Sequence, residues 1–260
     1  MQPIITLLTD FGTSDGFVGA MKGVILSLAP GAQVVDLTHE IAPQDVLSGA
    51  WALREAATTF PPGTIHVAVV DPGVGTDRRP ILVEHGGQLF VGPDNGVLSL
   101  AAPDGQAWHL DRPNLFRGRV SQTFHGRDVF APVAGHLAAG LSPDACGSAI
   151  ETWLRWPEPR PTRTQGRISG QVVHADRFGN LVTNICHDDL GAERQAWVVE
   201  VGGQSIGLLS STFGDVERGE WVAYIGSSGY LEIGIREGRA SSTHAAGTVT
   251  ILSRNRKITR

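Results

Sequence analysis

Cysteine is scarce. The 260-residue chain has two, Cys146 and Cys186, in unrelated contexts. That excludes a disulfide-stapled scaffold, and neither cysteine has the paired spacing of a zinc or redox motif. Two reduced thiols are the expectation, although the pair is enough for one bridge. Charge is modest too: 18% of residues, with 21 basic against 26 acidic side chains and a net charge of -5. A nucleic-acid surface shows a concentrated basic patch. The one basic cluster here, residues 254–260, reads as a solvated tail. No apolar run approaches the roughly 20 residues of a membrane span. The opening MQPIITLLTDFG lacks the basic start, apolar core and small-residue cleavage site of a secretory leader. A cytoplasmic location is expected, with neither nucleic acid nor membrane as partner.

What is present is ordinary globular material, 41% hydrophobic, with 33 glycines gathered mostly in turn-like clusters. Residues 4–8 form a continuous apolar run, as suits a strand buried on both faces. Apolar residues at helical spacing follow over 17–28, then a strand candidate at 34–37, an amphipathic helix at 45–57 and an apolar strand at 64–70. This βαβαβ order predicts an α/β domain with a mostly parallel sheet. Ligands of such sheets bind beyond the carboxyl ends of the strands, and two of those ends carry Asp10 and Asp71. A hairpin across Gly86-Gly87 and a helix over 127–139 complete this half. The Pro- and Arg-rich stretch after Trp153 reads as a linker. Beyond it, strand candidates at 167–175, 196–201, 204–209, 221–225, 230–235 and 247–252 suggest a small β-barrel or sandwich. The expected organisation is an α/β domain over 1–155, a linker over 156–166 and a smaller β-barrel-like domain over 167–260.

Several segments carry candidate chemistry. In V-V-D-P-G-V-G-T-D-R-R, residues 69–79, a tight turn lets Asp71 and Arg78 fold back toward each other. An ion pair capping the turn is the ordinary alternative. The segment lacks the third glycine of a dinucleotide fingerprint and the Gly-Lys-Ser/Thr of a phosphate loop. In T-F-H-G-R-D-V-F, His125 precedes a glycine at a helix start, where the macrodipole disfavours a protonated imidazole. A structural histidine is the alternative. Asp10, in L-T-D-F-G-T-S-D, is placed to accept bonds from a ribose diol, or else to cap a helix. D-R-F-G-N-L-V-T-N, residues 176–184, offers a carboxylate, an aromatic and an amide, or else a polar hairpin turn. His187-Asp188-Asp189 has no second histidine at ligand spacing, and no metal site is expected.

Together these segments resemble the S-adenosyl-L-methionine hydrolases that form adenosine, also called SAM hydroxide adenosyltransferases, relatives of fluorinase and chlorinase. The resemblance rests on T-D-F-G-T-S-D, L-T-H-E-I-A-P-Q-D, V-D-P-G-V-G-T-D-R-R, G-P-D-N-G, F-H-G-R-D-V-F-A-P, D-R-F-G-N-L-V-T-N and S-S-G-Y-L-E-I, in order along almost the whole chain. It implies hydrolysis of S-adenosyl-L-methionine to adenosine and L-methionine. It implies a homotrimer with sites at subunit interfaces, and no cofactor. By the same resemblance Asp71, Arg78 and His125 are the water-positioning triad, and Asp10 the ribose-diol ligand. Asp15 and Asp176 meet the methionine ammonium, Asn180 the adenine edge, Phe178 and Phe213 its faces, Ser227 the methionine carboxylate, and Ala240 the adenine. Asp71 stands where the halogenases carry a tyrosine, Gly126 where they carry a serine for the halide, and Val74 where a threonine lies near it. Phe17 and Arg239 depart from the halogenase serine and the common asparagine. The competing expectations are a nucleophilic halogenase making 5′-halo-5′-deoxyadenosine, and a protein that binds S-adenosyl-L-methionine or adenosine without turning it over. On the hydrolase reading, Arg78 supplies fixed positive charge, Asp71 orients it or the water, and His125 accepts the proton, directly or through a second water.

Overall fold

The N-terminal apolar run forms strand β1 (Ile4–Thr9), with five of its six residues buried. It pairs in parallel with β2 (Gln33–Thr38) on one side and β3 (Ile65–Val69) on the other. Helices α1 (Phe17–Leu28) and α2 (Val46–Ala57) are the crossovers. A computed structural model describes residues 2–157, 159–191, 197–244 and 247–253. Alternation along the strands sorts side chains into two layers. Ile5, Leu7, Val67 and Val69 join the cluster that holds α1, while Leu8, Ala68 and Val70 join the one that holds α2. Both faces are therefore covered, which is why these strands read as largely apolar runs. Asp45 caps α2 by accepting the Ser48 N–H at 3.0 Å, a contact that stabilises a helix by about 1 kcal/mol.

The expected hairpin is present as β4 (Pro80–His85) and β5 (Gln88–Pro93), with β5 parallel to β3. Two short strands, β6 (Gln106–His109) and β7 (Ser148–Ile150), extend the sheet on the antiparallel side, giving the order β2-β1-β3-β5-β4-β6-β7. At four and three residues they are too short to show periodicity. The helix expected over 127–139 is divided. Gly126–Phe130 is one wide π turn, and α3 (Ala131–Ala138) follows with Pro132 in its first turn. Proline has no N–H to bond back into the preceding turn, so a change of helix type falls naturally there.

The chain divides into two compact units, Met1–Pro157 and Glu158–Arg260. The second is an antiparallel sheet. Its strands are β8 (Thr162–Thr164), β9 (Arg167–Ala175), β10 (Leu181–Cys186), β11 (Trp197–Val201), β12 (Gln204–Leu208), β13 (Trp221–Ile225), β14 (Tyr230–Ile235) and β15 (Thr248–Ser253). Their order is β12-β11-β15-β9-β10-β14-β13, with β8 on β9. A bridge between Leu209 and Ala223 brings the end of β12 back to β13, so the sheet is nearly closed, as a barrel-like domain requires. Ile168, Leu181, Ile185, Val199, Leu231, Ile233 and Ile251 fill its interior.

Two segments differ from the sequence expectation. Within the stretch read as a linker, Thr162–Thr164 pairs with β9, and the Arg163 side chain bonds the Asp189 carbonyl. The prolines that suggest a linker end at Pro161, which frees the next residues to pair. β10 begins inside the segment singled out for ligand chemistry, and its apolar residues are the core side of that hairpin. His187-Asp188-Asp189 opens a four-residue helix, with Asp189 accepting the Cys186 N–H at 2.8 Å. The basic cluster at 254–260 and Ala196 of the expected strand at 196–201 lie outside the described residues. Among the described residues, no helix is long and apolar enough to cross a membrane.

Candidate active site

Asp71 stands just beyond the buried end of β3, where Pro72 stops the strand. The chain then turns through Val74 N–H to Asp71 carbonyl at 3.2 Å and Thr76 N–H to Gly73 carbonyl at 3.1 Å. Gly75 has φ +77°, and a Cβ there would collide with the Gln122 carbonyl oxygen, so the turn requires glycine. This reversal returns Arg78 to Asp71. Arg78 Nε donates to both carboxylate oxygens at 3.0 Å, and Nη2 to Oδ2 at 2.5 Å. Nη2 also lies 2.7 Å from His125 Nδ1. The turn ion pair and the histidine, separate in sequence, are thus one cluster. The Asp71 and Arg78 side chains are only 4% and 9% exposed, and Phe130 packs 5.4 Å beneath the guanidinium.

His125 opens the π turn. Such turns recur at functional sites. The His125 pKa is lowered, first by burial and then by the Arg78 charge; Asp71 and Asp128 pull the other way and lose. The ring is therefore neutral around pH 7, as the sequence suggests. The causes are burial and Arg78, where the sequence offers only the helix end. Asp128 is fully buried. Burial alone would raise its pKa, but bonds from Arg127 and the Ser121 N–H outweigh this and hold it ionised. Those bonds brace the chain on either side of His125.

Asp71 and His125 line a cavity of about 430 Å³ together with Asp10, Gln44, Val74 and Gly126. Ligand pockets are commonly of this size. Arg78 is not in the lining; it reaches the cavity only through Asp71 and His125. Asp10 Oδ2 accepts the Gln44 N–H at 2.8 Å, so Asp10 is held from a neighbouring loop and does not cap a helix. Gln44 has φ 68°, a left-handed conformation costly for a residue with a side chain. Nothing in A-P-Q-D signals that strain, and sequence reasoning missed Gln44. It also missed the aromatic wall, where Phe11, Phe17 and Phe124 meet edge to face at 5.3 to 6.0 Å. Behind Asp10, buried Thr9 Oγ1 bonds His39 Nδ1 at 2.9 Å, and His39 Nε2 lies 3.0 Å from Asp36. Asp15 is exposed in the turn before α1 and does not line this cavity.

The remaining sequence candidates belong to the second unit. Residues 176–180 are the turn of the β9–β10 hairpin, so the ordinary alternative for this segment is correct as to its shape. Asn180 donates its N–H and its amide to the two oxygens of Asp176, each at 2.8 Å. Asn180 is 7% exposed, whereas Phe178 at the tip is 75% exposed. A Cβ on Gly234 would meet Asn180 Oδ1 at 2.6 Å and the Phe213 ring at 3.0 Å, so Gly234 lets both side chains approach. Phe213 packs on Tyr224 at 4.6 Å, and Tyr224 Oη donates to Glu232 at 2.7 Å. Ser227 is exposed in the β13–β14 turn. Ala240 is fully buried in the barrel core. The neighbouring Ser241 N–H bonds the Gly179 carbonyl at 2.9 Å, which joins this segment to the Asn180 turn.

Both units match known proteins. Residues 5–147 match the model of the SAM hydroxide adenosyltransferase N-terminal domain, and residues 170–250 that of the C-terminal domain. The (R)-S-adenosyl-L-methionine hydrolase of Thermus thermophilus is 42% identical over 253 residues, which cover 92% of this chain and 94% of the relative. The enzyme of the same name from Salinispora tropica is 39% identical over 245 residues, covering 92% of each. The crystal structure of an uncharacterized conserved protein from Thermotoga maritima superposes with a TM-score of 0.88 at 36% identity, covering 95% of this chain and 99% of that one.

Proposed function

The chain belongs to the SAM hydroxide adenosyltransferase family, and from that premise we propose that it hydrolyses S-adenosyl-L-methionine to adenosine and L-methionine. The observation that carries this reading is the joined Asp71–Arg78–His125 cluster at the wall of a cavity that also holds Asp10.

The sulfonium is a positively charged leaving group that departs as a neutral thioether, so its departure calls for no Lewis acid or cofactor. The obstacle is the nucleophile, since free water has a pKa near 15.7. A buried, fixed set of charges and donors beside the water lowers that barrier. Holding the oxygen in line with C5′ and sulfur contributes further. In this reading Asp10 takes the ribose diol, with Gln44 fixing one of its oxygens. Asp15 and Asp176 meet the ammonium, Asn180 reads the adenine edge and Phe178 and Phe213 cover its faces. Ser227 holds the methionine carboxylate, and Ala240 lies beside the adenine.

Two features favour water over halide. Asp71 places a carboxylate in the cavity wall, which repels an anion. At Gly126 a Cβ would meet Met21 Sδ at 3.2 Å and the Phe11 ring at 3.4 Å, so the wall there is closed by apolar groups and offers no hydroxyl. Incubation of the purified protein with S-adenosyl-L-methionine in heavy-oxygen water should release adenosine labelled at the 5′ oxygen. Unlabelled product, or a chlorinated nucleoside when chloride is added, would overturn the assignment. A chelator should leave the rate unchanged.

The enzyme is further proposed to act in the cytoplasm as a homotrimer with its sites at subunit interfaces. Phe178, assigned to the adenine face, is 75% exposed and Phe17, in the cavity lining, is 47% exposed, as suits surfaces that a neighbouring subunit covers. Sedimentation equilibrium should give the mass of three chains; a monomer would refute the assembly.

A further inference from the structure

Arg78 Nη2 approaches His125 at Nδ1, 2.7 Å away. A guanidinium has only N–H donors and no acceptor, and it keeps its charge throughout the working pH range. His125 must therefore receive this bond at Nδ1. A neutral imidazole carries one proton, so that proton is on Nε2. Burial and the Arg78 charge both disfavour the imidazolium that would carry two. The nitrogen left for a ligand in the cavity is thus an N–H donor, with no lone pair to receive a proton.

We infer that Asp71, rather than His125, takes the proton of the attacking water, and that His125 donates its Nε2–H to that water's oxygen. This rests on the hydrolase reading above and assigns the proton path within it. One water oxygen lone pair forms the bond to C5′. The C5′–S bond breaks with its electron pair going to sulfur, which leaves a neutral thioether. One water proton passes to the Asp71 carboxylate and from there to solvent, so one substrate and one water give adenosine, methionine and a proton.

Position supports Asp71 as acceptor. It and His125 line the same cavity and both contact one nitrogen, Arg78 Nη2, at 2.5 and 2.7 Å, so the two are neighbours in the cavity wall. Asp10, the other carboxylate of the lining, is tied to the Gln44 N–H and assigned to the ribose. The ion pair with Arg78 makes Asp71 a weak base, and a weak base suffices. Once oxygen has bonded to carbon while keeping both hydrogens, it is an oxonium, far more acidic than any carboxylic acid. Arg78 then acts as a positioning residue: it fixes the His125 tautomer and aims the Asp71 carboxylate.

The tautomer is read directly by long-range proton–nitrogen correlation on the nitrogen-15-labelled full chain, with His125 assigned by its loss in His125→Gln. The expected result at assay pH is an unprotonated Nδ1 and a protonated Nε2. A proton on Nδ1, or on both nitrogens, overturns the inference. Turnover supplies a second measurement. His125→Gln retains an amide N–H donor that can hold the water in line with C5′ without a comparable base, so it should exceed His125→Ala by about tenfold or more, since misplacing the attacking atom by about 1 Å costs on the order of 10². Equal rates for the two variants would overturn the donor role, and undiminished turnover in Asp71→Asn would overturn the acceptor. The nitrogen spectrum needs no substrate. A wild-type protein that releases no adenosine would therefore sink the proposed function, while the spectrum still decides the tautomer.

Discussion

Replacing Arg78 with alanine should lower kcat by a factor on the order of 10² to 10³ while KM stays near the wild-type value. The split follows from where Arg78 lies. It does not line the cavity, so the bound substrate gains nothing from it directly. It bonds Asp71 three times and His125 once, and those two groups face the cavity. Its loss frees the His125 ring to adopt either tautomer and frees the carboxylate to rotate. A change that acts only on the transition state lowers kcat and kcat/KM together. Stability complicates the measurement. Asp71 is 4% exposed and would be left as an unpaired buried charge, at a cost of about 3 kcal/mol. Adding Asp71→Asn removes that charge, so the double variant should melt closer to the wild type than Arg78→Ala does, with turnover still lost. Wild-type turnover in Arg78→Ala would sink the role. A KM that rises as far as kcat falls would instead make Arg78 a substrate-binding residue.

The parts of the fold that were legible in sequence are those whose period is long and whose layer is simple. α1 has the boundaries expected, Phe17 to Leu28, because its apolar spacing is regular and Pro30 follows closely. β1 and β3 read as strands because helices cover both faces. β6 and β7 are too short to carry a pattern, and they exist because β4 offers an edge to pair with. β10 was hidden by the polar residues that precede it. At the site, the Asp71–Arg78 pair was visible as a turn, since Pro72 and two glycines force the reversal. That His125 joins the pair was not visible from spacing, because 47 residues separate it from Arg78. Only the resemblance of the ordered motifs placed the three together. The strained Gln44, the bracing of Asp128 and the nitrogen that Arg78 selects on His125 depend on backbone angles and approach directions that residue types do not record.

Acidification should destabilise the protein well before its carboxylates titrate, through His66. This side chain is the second of β3, fully buried, stacked on Phe90 at 4.9 Å and edge-on to Phe60 at 5.7 Å. Thr6 Oγ1 bonds its Nδ1 at 2.7 Å. Burial lowers its pKa to about 4, against a smaller opposing contribution from Gln88. The ordinary histidine value is 6.5. Below 6.5 the unfolded chain binds a proton that the folded chain refuses until near 4. Stability is therefore full above about 6.5 and falls as pH drops through that window, by about 3 kcal/mol at about 1.4 kcal/mol per unit. Asp36 and Asp128 also have lowered values. Their contribution is lost only as pH falls below the ordinary carboxylate range, so the two effects separate. His125, also lowered, adds a slope of the same sign. His66→Gln keeps a polar partner for Thr6 and removes the proton site. Urea unfolding at pH 7 and pH 4.5 should then show a markedly smaller loss for the variant than for the wild type. Equal losses would remove His66 as the cause. β3 ends next to Asp71, so His66 also bears on function: an acid limb in activity that follows the unfolding curve, and flattens in His66→Gln, reports loss of the strand that carries Asp71 and not titration of the site itself.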